Sequence, residues 1–319
     1  MNTAHGAPGA RVLGLGGYRP ARVLSNDDIA AMGVDTHDEW IRDRVGIATR
    51  HIAAEDETVV DMAVAAGGKA LAAAGVEPSD VDLVITATCT LETQLPGASA
   101  SVASRLGIVA PGAFDLNAAC AGFCYGLSVA ADAVRCGSAR TVLLIGAEKL
   151  SAWIDWTDRS TCIIFGDGAG AAVIGPSDTA GIGPVVWGSD GDKASTIAVA
   201  SRTTFITMEG QAVFRWATTQ MGKVALEACE RAGVAPKDIA VAVPHQANLR
   251  IVEAVVRRLG APDAVIARDI VDTGNTSSAS VPLALSRLVE RGEARSGDPV
   301  LVLAFGAGLT YAGQVLTCP

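Results

Sequence analysis

Residues 113–123, Ala-Phe-Asp-Leu-Asn-Ala-Ala-Cys-Ala-Gly-Phe, read as a strand, a tight turn of small residues and a helix that starts at Cys120. A thiol in that position feels the unpaired amides and partial positive charge of the helix N-terminus, which favour the thiolate and are expected to lower its pKa. The neighbouring alanines and glycine leave room for a substrate carbonyl. A small cysteine filling core space fits the same context, so the local reading leaves both roles open.

A cysteine nucleophile needs partners, and the chain has only four histidines. His5 lies in a loose N-terminal tail, His37 stands among charges at a solvated helix start, and His51 has no distinctive setting. His245 differs: in Val-Pro-His-Gln-Ala-Asn it ends an apolar strand and precedes a helix, the end of an open α/β sheet where chemistry collects. Asn275, in the run Asp-Thr-Gly-Asn-Thr-Ser-Ser-Ala-Ser over 272–280, can donate an amide hydrogen bond to a polarised carbonyl, or belong to a plain N-cap cluster. The glycine turn Phe305-Gly306-Ala307-Gly308 offers backbone N–H groups for an oxyanion hole. The run 165–170 (Phe-Gly-Asp-Gly-Ala-Gly) lacks the ending and spacing of a phosphate loop and reads as tight packing. Cys120 and Cys124 have no second pair and no histidine nearby, so no metal site is expected.

The elements that must position these residues alternate along the whole chain. Short runs apolar on both parities at 11–16, 81–87, 113–117, 141–146, 239–243 and 300–305 are expected strands buried between helices. Alanine-rich runs at 58–74, 97–106, 121–136, 211–232, 248–259 and 278–291 are expected helices, and the alternation argues a layered α/β fold. The chain also repeats itself. Ala-Gly-Val-Glu-Pro-Ser-Asp-Val at 74–81 matches Ala-Gly-Val-Ala-Pro-Lys-Asp-Ile at 232–239, about half a chain away, and the Gly-Ala pairs at 146 and 306 recur at nearly the same offset. Two related halves are expected, 1–175 carrying Cys120 and 176–319 carrying His245 and Asn275, joined at Gly-Pro-Ser-Asp over 175–178.

Composition sets outer limits. Half of the 319 residues are hydrophobic and 18% charged, which excludes a disordered or fibrous chain. Aromatics at 4% against 35 glycines imply a core of small aliphatics with close backbone approaches. A net charge of −9 argues against a general nucleic-acid or anionic-membrane binder. No apolar span of about twenty residues and no signal-peptide layout are found. Seven scattered cysteines point to a reducing cytoplasm.

Taken in order, AACAGF, PHQANLR, GNTSSAS and FGAGLT closely resemble the β-ketoacyl-acyl carrier protein synthase III family of the thiolase superfamily. Further matches are Asp38-Glu39-Trp40-Ile41 with Arg44-Val45-Gly46-Ile47, and Thr157-Asp158-Arg159-Ser160 leading into FGDGAGAAV; the likeness spans about residues 11 to 317. It implies an α/β thiolase-like duplicated five-layer α-β-α-β-α fold, a homodimer, and no cofactor beyond acyl-coenzyme A as substrate. By the same resemblance Cys120 takes the acyl group, and backbone N–H groups of Cys120 and Ala307 hold the oxyanion. His245 and Asn275 then stabilise the enolate formed when malonyl-acyl carrier protein loses carbon dioxide. Trp40, Arg44 and Arg159 match positions that hold coenzyme A. Arg215, Arg250, Arg257 and Arg258 match a patch that receives the carrier protein, and Arg250 and Arg257 stand two helical turns apart on one face.

Some positions depart from the family pattern. A histidine common before Gly274 is Thr273, Gly-Ala-Gly replaces Gly-Gly-Gly at 306–308, and the stretch from Gly191 to Met208 is short. Leu95 stands where acetyl-primed members often carry an aromatic that lines the partner subunit's acyl pocket, which suggests longer or branched primers. Acyl transfer to a hydroxyl or amine without decarboxylation is the second expectation.

Overall fold

The computed structural model describes residues 6–201 and 203–319, so His5 lies outside the described residues. The first sheet holds β1 (Gly9–Tyr18), β2 (Leu83–Ala87), β3 (Gly112–Leu116), β4 (Val142–Lys149) and β5 (Asp167–Ser177), in the order β1-β5-β4-β2-β3. The second holds β6 (Val186–Ser189), β7 (Val241–Pro244), β8 (Val265–Ile266), β9 (Pro299–Gly306) and β10 (Thr310–Thr317), in the order β6-β10-β9-β7-β8. Strand for strand the two orders are the same. So are the senses: in each sheet the first two pairings are antiparallel and the last two parallel.

Seven helices bear on the site: α1 (Asp38–Val45), α2 (Val59–Ala74), α3 (Ala98–Arg105), α4 (Gly122–Cys136), α5 (Gly210–Ala232), α6 (Leu249–Leu259) and α7 (Ser280–Glu290). α4 and α7 touch both sheets and form the middle layer, α2 and α3 cover the outer face of the first sheet, and α5 and α6 cover the second. The middle layer explains the composition. α4 buries Phe123, Cys124, Leu127, Ala130, Ala131 and Val134, and α7 buries Val281, Leu283, Ala284, Leu285 and Leu288, so both helices are buried over most of their circumference. Each fully buried Leu, Ile or Val contributes about 1.5–3 kcal/mol by leaving water. α6 is the opposite case. Ile251, Val252, Val255, Val256 and Leu259 are buried on one face, and its arginines stand on the other.

Glycine sets how closely the middle layer approaches. Gly17, Gly170 and Gly146 lie opposite one another across β1, β5 and β4. A Cβ on Gly170 would sit 2.4 Å from the backbone nitrogen of Leu283, and one on Gly146 would sit 2.5 Å from the carbonyl oxygen of Ser278. The row is a shallow trough in which α7 and the turn before it lie against bare backbone. The expected packing role of residues 165–170 fits this arrangement.

One expectation about the strands is corrected. β3 was expected to be buried between helices, yet Gly112, Ala113 and Phe114 are exposed. It is the outermost strand, paired on one side only, so its apolar residues mark an open edge and not a buried centre.

Gly170→Ala should lower stability by about 1–3 kcal/mol, because the new methyl meets backbone that cannot rotate away. Chemical denaturation measures it, and a loss below about 0.5 kcal/mol would contradict so close an approach.

Candidate active site

Cys120 is not the first helical residue. It sits inside a 3-10 turn, Ala119–Ala121, and α4 begins at Gly122. Ala119 holds a left-handed φ of 48°, a conformation that costs on the order of 1–3 kcal/mol and here turns the chain sharply between strand and helix. The Asn117 Oδ1 accepts from the Ala119 amide at 3.0 Å, and the Thr310 hydroxyl donates to the Ala118 carbonyl at 3.0 Å. The turn 306–308 closes against the nucleophile, since a Cβ on Gly306 would lie 2.6 Å from the Cys120 nitrogen. Backbone amides of Cys120 and Ala307 therefore come from adjoining turns.

The expected lowering of the Cys120 pKa is overturned. Burial pushes the thiol up to about 12, with the nearby Glu148 carboxylate adding to the rise and the Ser277 hydroxyl opposing it. Helix-end amides stabilise a thiolate modestly, whereas removing it from water costs more.

His245 follows β7, and its amide donates to the Leu303 carbonyl at 2.7 Å. The ring is 2% exposed, stands edge-on to Phe305 at 5.4 Å, and places Nδ1 2.7 Å from the Ser280 Oγ. That oxygen also accepts from the Gln246 amide at 3.4 Å. With the Ser280 hydroxyl donating to Nδ1, the imidazole's own proton stands on Nε2. Burial lowers the His245 pKa to about 3, so it is a neutral donor at ordinary pH. Asn275 is pinned from both directions: its amide donates to the Ile164 carbonyl at 2.9 Å and its carbonyl accepts from Gly166 at 3.0 Å. The Ser277 amide donates to Asn275 Oδ1 at 2.8 Å, which fixes the flip of the side chain and turns Nδ2 away as a donor.

Cys120, His245, Asn275 and Ala307 line one cavity of about 1020 Å³. Exposed Arg44, Arg159, Arg215 and Arg250 line the same cavity, so it runs from surface to interior. Two guanidinium groups lie near Trp40, with Arg159 4.8 Å and Arg44 5.6 Å from its ring centroid. Arg250 lies 5.3 Å from the Phe214 ring, while Arg257 and Arg258 are exposed further along α6 and do not reach the cavity. None of the ion pairs among the described residues uses Arg215, Arg250, Arg257 or Arg258. Leu95 is 86% exposed and lines no part of this chain's own cavity. Ile197, Val199, Ile206 and Met208, from the short stretch noted in the sequence, form part of the wall.

Sequence reasoning missed Glu148 and Cys89 altogether, and gave Ser277 and Ser280 no role beyond capping. Cys89 lines the cavity, and Glu148 lies behind the cavity wall, fully buried. His37 caps α1 by accepting from the Trp40 amide, and His51 Nδ1 lies 2.6 Å from the Pro20 carbonyl, so neither joins the site. Among the described residues, no cluster of His, Cys, Asp and Glu could hold a metal ion, and no helix is long and apolar enough to cross a membrane.

Two matched sheets enclosing a helical middle layer, with a thiol at the inner end of a surface-connected cavity, are the architecture of thiolase-type condensing enzymes, an acyltransferase class. Comparison with known proteins narrows the class. Family models described as 3-oxoacyl-[acyl-carrier-protein] synthase III and its C-terminal part match residues 114–191 and 229–318. The chain is 54% identical to β-ketoacyl-[acyl-carrier-protein] synthase III 4 of Streptomyces coelicolor, over 98% of this chain and 99% of that protein. It is 48% identical to the mycobacterial β-ketoacyl-[acyl-carrier-protein] synthase III of Mycobacterium avium, over 100% and 98%. Among solved structures, the priming β-ketosynthase of a polyketide biosynthetic pathway superposes with a TM-score of 0.97 at 47% identity, covering 100% of this chain and 98% of that one. The chain belongs to the β-ketoacyl-[acyl-carrier-protein] synthase III family.

The depressed pKa of His245 has a measurable sign. The neutral imidazole's contribution to stability is complete above about pH 6.5 and is lost as pH falls toward 3. Between pH 7.5 and 5 the wild type should lose about 2 kcal/mol more than His245→Gln in denaturant unfolding, and equal losses would show that the ring does not titrate from a buried neutral state.

Proposed function

We propose that this protein joins a short acyl primer, delivered by acyl-coenzyme A, to malonyl-acyl carrier protein by decarboxylative Claisen condensation, and so starts fatty-acid or polyketide synthesis. The observation that carries the reading is the pair of neutral side chains, His245 and Asn275, that line the same cavity as the Cys120 thiol. In the first half-reaction the Cys120 sulfur attacks the primer's thioester carbonyl, its oxygen takes hydrogen bonds from the Cys120 and Ala307 amides, and coenzyme A leaves. In the second, the malonyl thioester oxygen sits between His245 and Asn275. As carbon dioxide departs, negative charge grows on that oxygen, and donors already aimed at it stabilise the transition state most. The carbanion then attacks the acyl carbonyl and Cys120 leaves as the thiolate. A neutral histidine suits this step, because it donates without releasing its proton.

Trp40, flanked by Arg44 and Arg159, is assigned to the adenine and phosphates of coenzyme A. Unpaired Arg215, Arg250, Arg257 and Arg258 form the landing face for an acidic carrier protein, which the net charge of −9 elsewhere makes distinctive. The open edge at β3 and the exposure of Phe114 support a homodimer in which Leu95 reaches the partner's acyl pocket; light scattering at twice the chain mass checks it. The matching sheet orders support a division into halves 1–175 and 176–319. Seven free cysteines suit a cytoplasmic setting.

Intact-mass measurement with acetyl-, isobutyryl- and longer acyl-coenzyme A should show a single acyl group on the wild type and none on Cys120→Ala. Asn275→Ala should load normally but condense about 10²–10³-fold more slowly. Failure to acylate with every primer would overturn the enzymatic reading, and acylation with no carbon dioxide on adding malonyl-acyl carrier protein would favour simple acyl transfer. Arg250→Glu should weaken turnover with the carrier protein about tenfold or more while sparing primer loading, an effect that shrinks as salt rises; equal effects on both steps would remove the docking assignment.

A further inference from the structure

The Ala307 amide belongs to the turn that joins β9 to β10, and one side of that turn is tied to the nucleophile. There the Thr310 hydroxyl donates to the carbonyls of Ala118 at 3.0 Å and Ala307 at 3.1 Å. Asp190 holds the other side. Its amide donates to the Leu309 carbonyl at 2.9 Å, and the Leu309 amide donates back to the Asp190 carbonyl at 3.2 Å. These bonds carry the β6–β10 ladder one pair beyond Ser189 and Thr310. β6 is a four-residue strand at the edge of its sheet. Beyond Asp190 the chain leaves for the stretch that brings Ile197, Val199, Ile206 and Met208 into the cavity wall. Backbone pairing alone would hold the end of so short an edge strand weakly.

The Asp190 side chain adds to that hold. Its Oδ2 accepts from the Trp216 indole N–H at 3.1 Å and from the Lys193 ammonium at 2.5 Å. Lys193 is exposed and only three residues along the same segment, so it can move with Asp190. Trp216 stands on the second turn of α5, a 23-residue helix packed on the second sheet, and is the fixed partner.

The indole also meets the hairpin directly. Phe305 and Tyr311 are cross-strand partners of β9 and β10, just below the turn that contains Ala307. The Trp216 ring lies 6.0 Å from each of their centroids, tilted by 53° and 54°. Tilted aromatic pairs of this kind attract beyond the area they bury. Trp216 therefore supports the hairpin at two places: the base of its strands by stacking, and the outer side of its turn through Asp190.

We propose that Trp216 is a positioning residue for the oxyanion amide of Ala307, with Asp190 as the link between the indole and the turn. This rests on the reading that Cys120 is acylated and that the Ala307 amide receives the thioester oxygen. Trp216 lines no part of the cavity, although its neighbours Phe214 and Arg215 do, so it acts only through the residues it holds. A donor stabilises developing charge in proportion to how well it is already aimed, and a displacement of about 1 Å costs on the order of 10²-fold in rate.

Trp216→Phe keeps an aromatic ring against Phe305 and Tyr311 but loses the N–H. Single-turnover acylation is measured with whichever of acetyl-, isobutyryl- and longer acyl-coenzyme A loads fastest. At saturation the variant should react about tenfold more slowly, with the half-saturating concentration within about twofold of the wild-type value. Asp190→Leu should fall as far, and the double variant no further than either single one, because both break the same link. Asp190→Asn, whose amide oxygen still accepts from the indole, should recover most of the rate. Hydrogen exchange gives a readout that needs no substrate: the amides of Asp190 and Leu309 should exchange faster in Trp216→Phe and Asp190→Leu, and at the wild-type rate in Asp190→Asn. A folded Trp216→Phe that acylates at the wild-type maximum rate would overturn the assignment. So would a loss confined to the half-saturating concentration, or an Asp190→Asn as slow as Asp190→Leu. Wild-type acylation is the control: its absence would defeat the reading of Cys120 itself, whereas equal loading of the wild type and Trp216→Phe would defeat the brace alone.

Discussion

The arrangement depends on how near the middle helices come to the first sheet. Gly146 and Gly170 carry no side chain where α7 and the turn before it cross β4 and β5, so backbone meets backbone at van der Waals distance. Two residues beyond Gly146 on the same strand is Glu148, and the turn that fills the trough holds Ser277 and Ser278. The approach that packs the core therefore also brings a carboxylate of one sheet to the hydroxyls leading into α7, and through Ser277 to the amide of Asn275. Side chains in place of Gly146 and Gly170 would hold the turn before α7 and α7 itself too far out for those contacts. A chain rich in glycine and alanine and poor in aromatics is what such a site requires.

Electrostatics follow from the same closeness. His245 and Asn275 are buried in the cavity wall, where charge is costly, so the groups there are neutral or held by dipoles. The histidine is kept uncharged, the asparagine has no proton to lose, and the thiol resists ionising. In the proposed reaction, whose transition states are anionic, stabilisation then falls to amide and imidazole donors set in place by the fold, whose energies are larger away from water. Cationic groups are kept to the exposed part of the cavity wall, where Arg44, Arg159, Arg215 and Arg250 stand.

The sequence made the proposed nucleophile and its two proposed donors legible because each sits at a junction of strand, turn and helix, where small residues and hydrogen-bonding side chains cluster in short motifs. The cavity gathers Cys120, His245 and Asn275 as those motifs implied. Glu148 was invisible for the converse reason: it lies inside a strand, with no periodic or motif signal, and its partners Thr88, Cys89, Thr90 and Ser277 come from loops remote in sequence. The direction of the Cys120 pKa was misread because a helix start is visible in sequence and the depth of burial is not. β3 was misread because an apolar run looks alike at the centre of a sheet and at its edge; only pairing distinguishes them.

That edge bears on the nucleophile as well. β3 ends at Leu116, and the chain reaches Cys120 within one tight turn, braced by Asn117 and Thr310. The strand is held by hydrogen bonds on one side only, so the Cys120 turn hangs from one of the two edge strands of its sheet. Adding a neighbouring strand would stiffen that anchor from outside. The rigidity of the site is therefore tied to the mechanics of a strand with one open side, and whatever pairs with that side acts on the turn that carries Cys120.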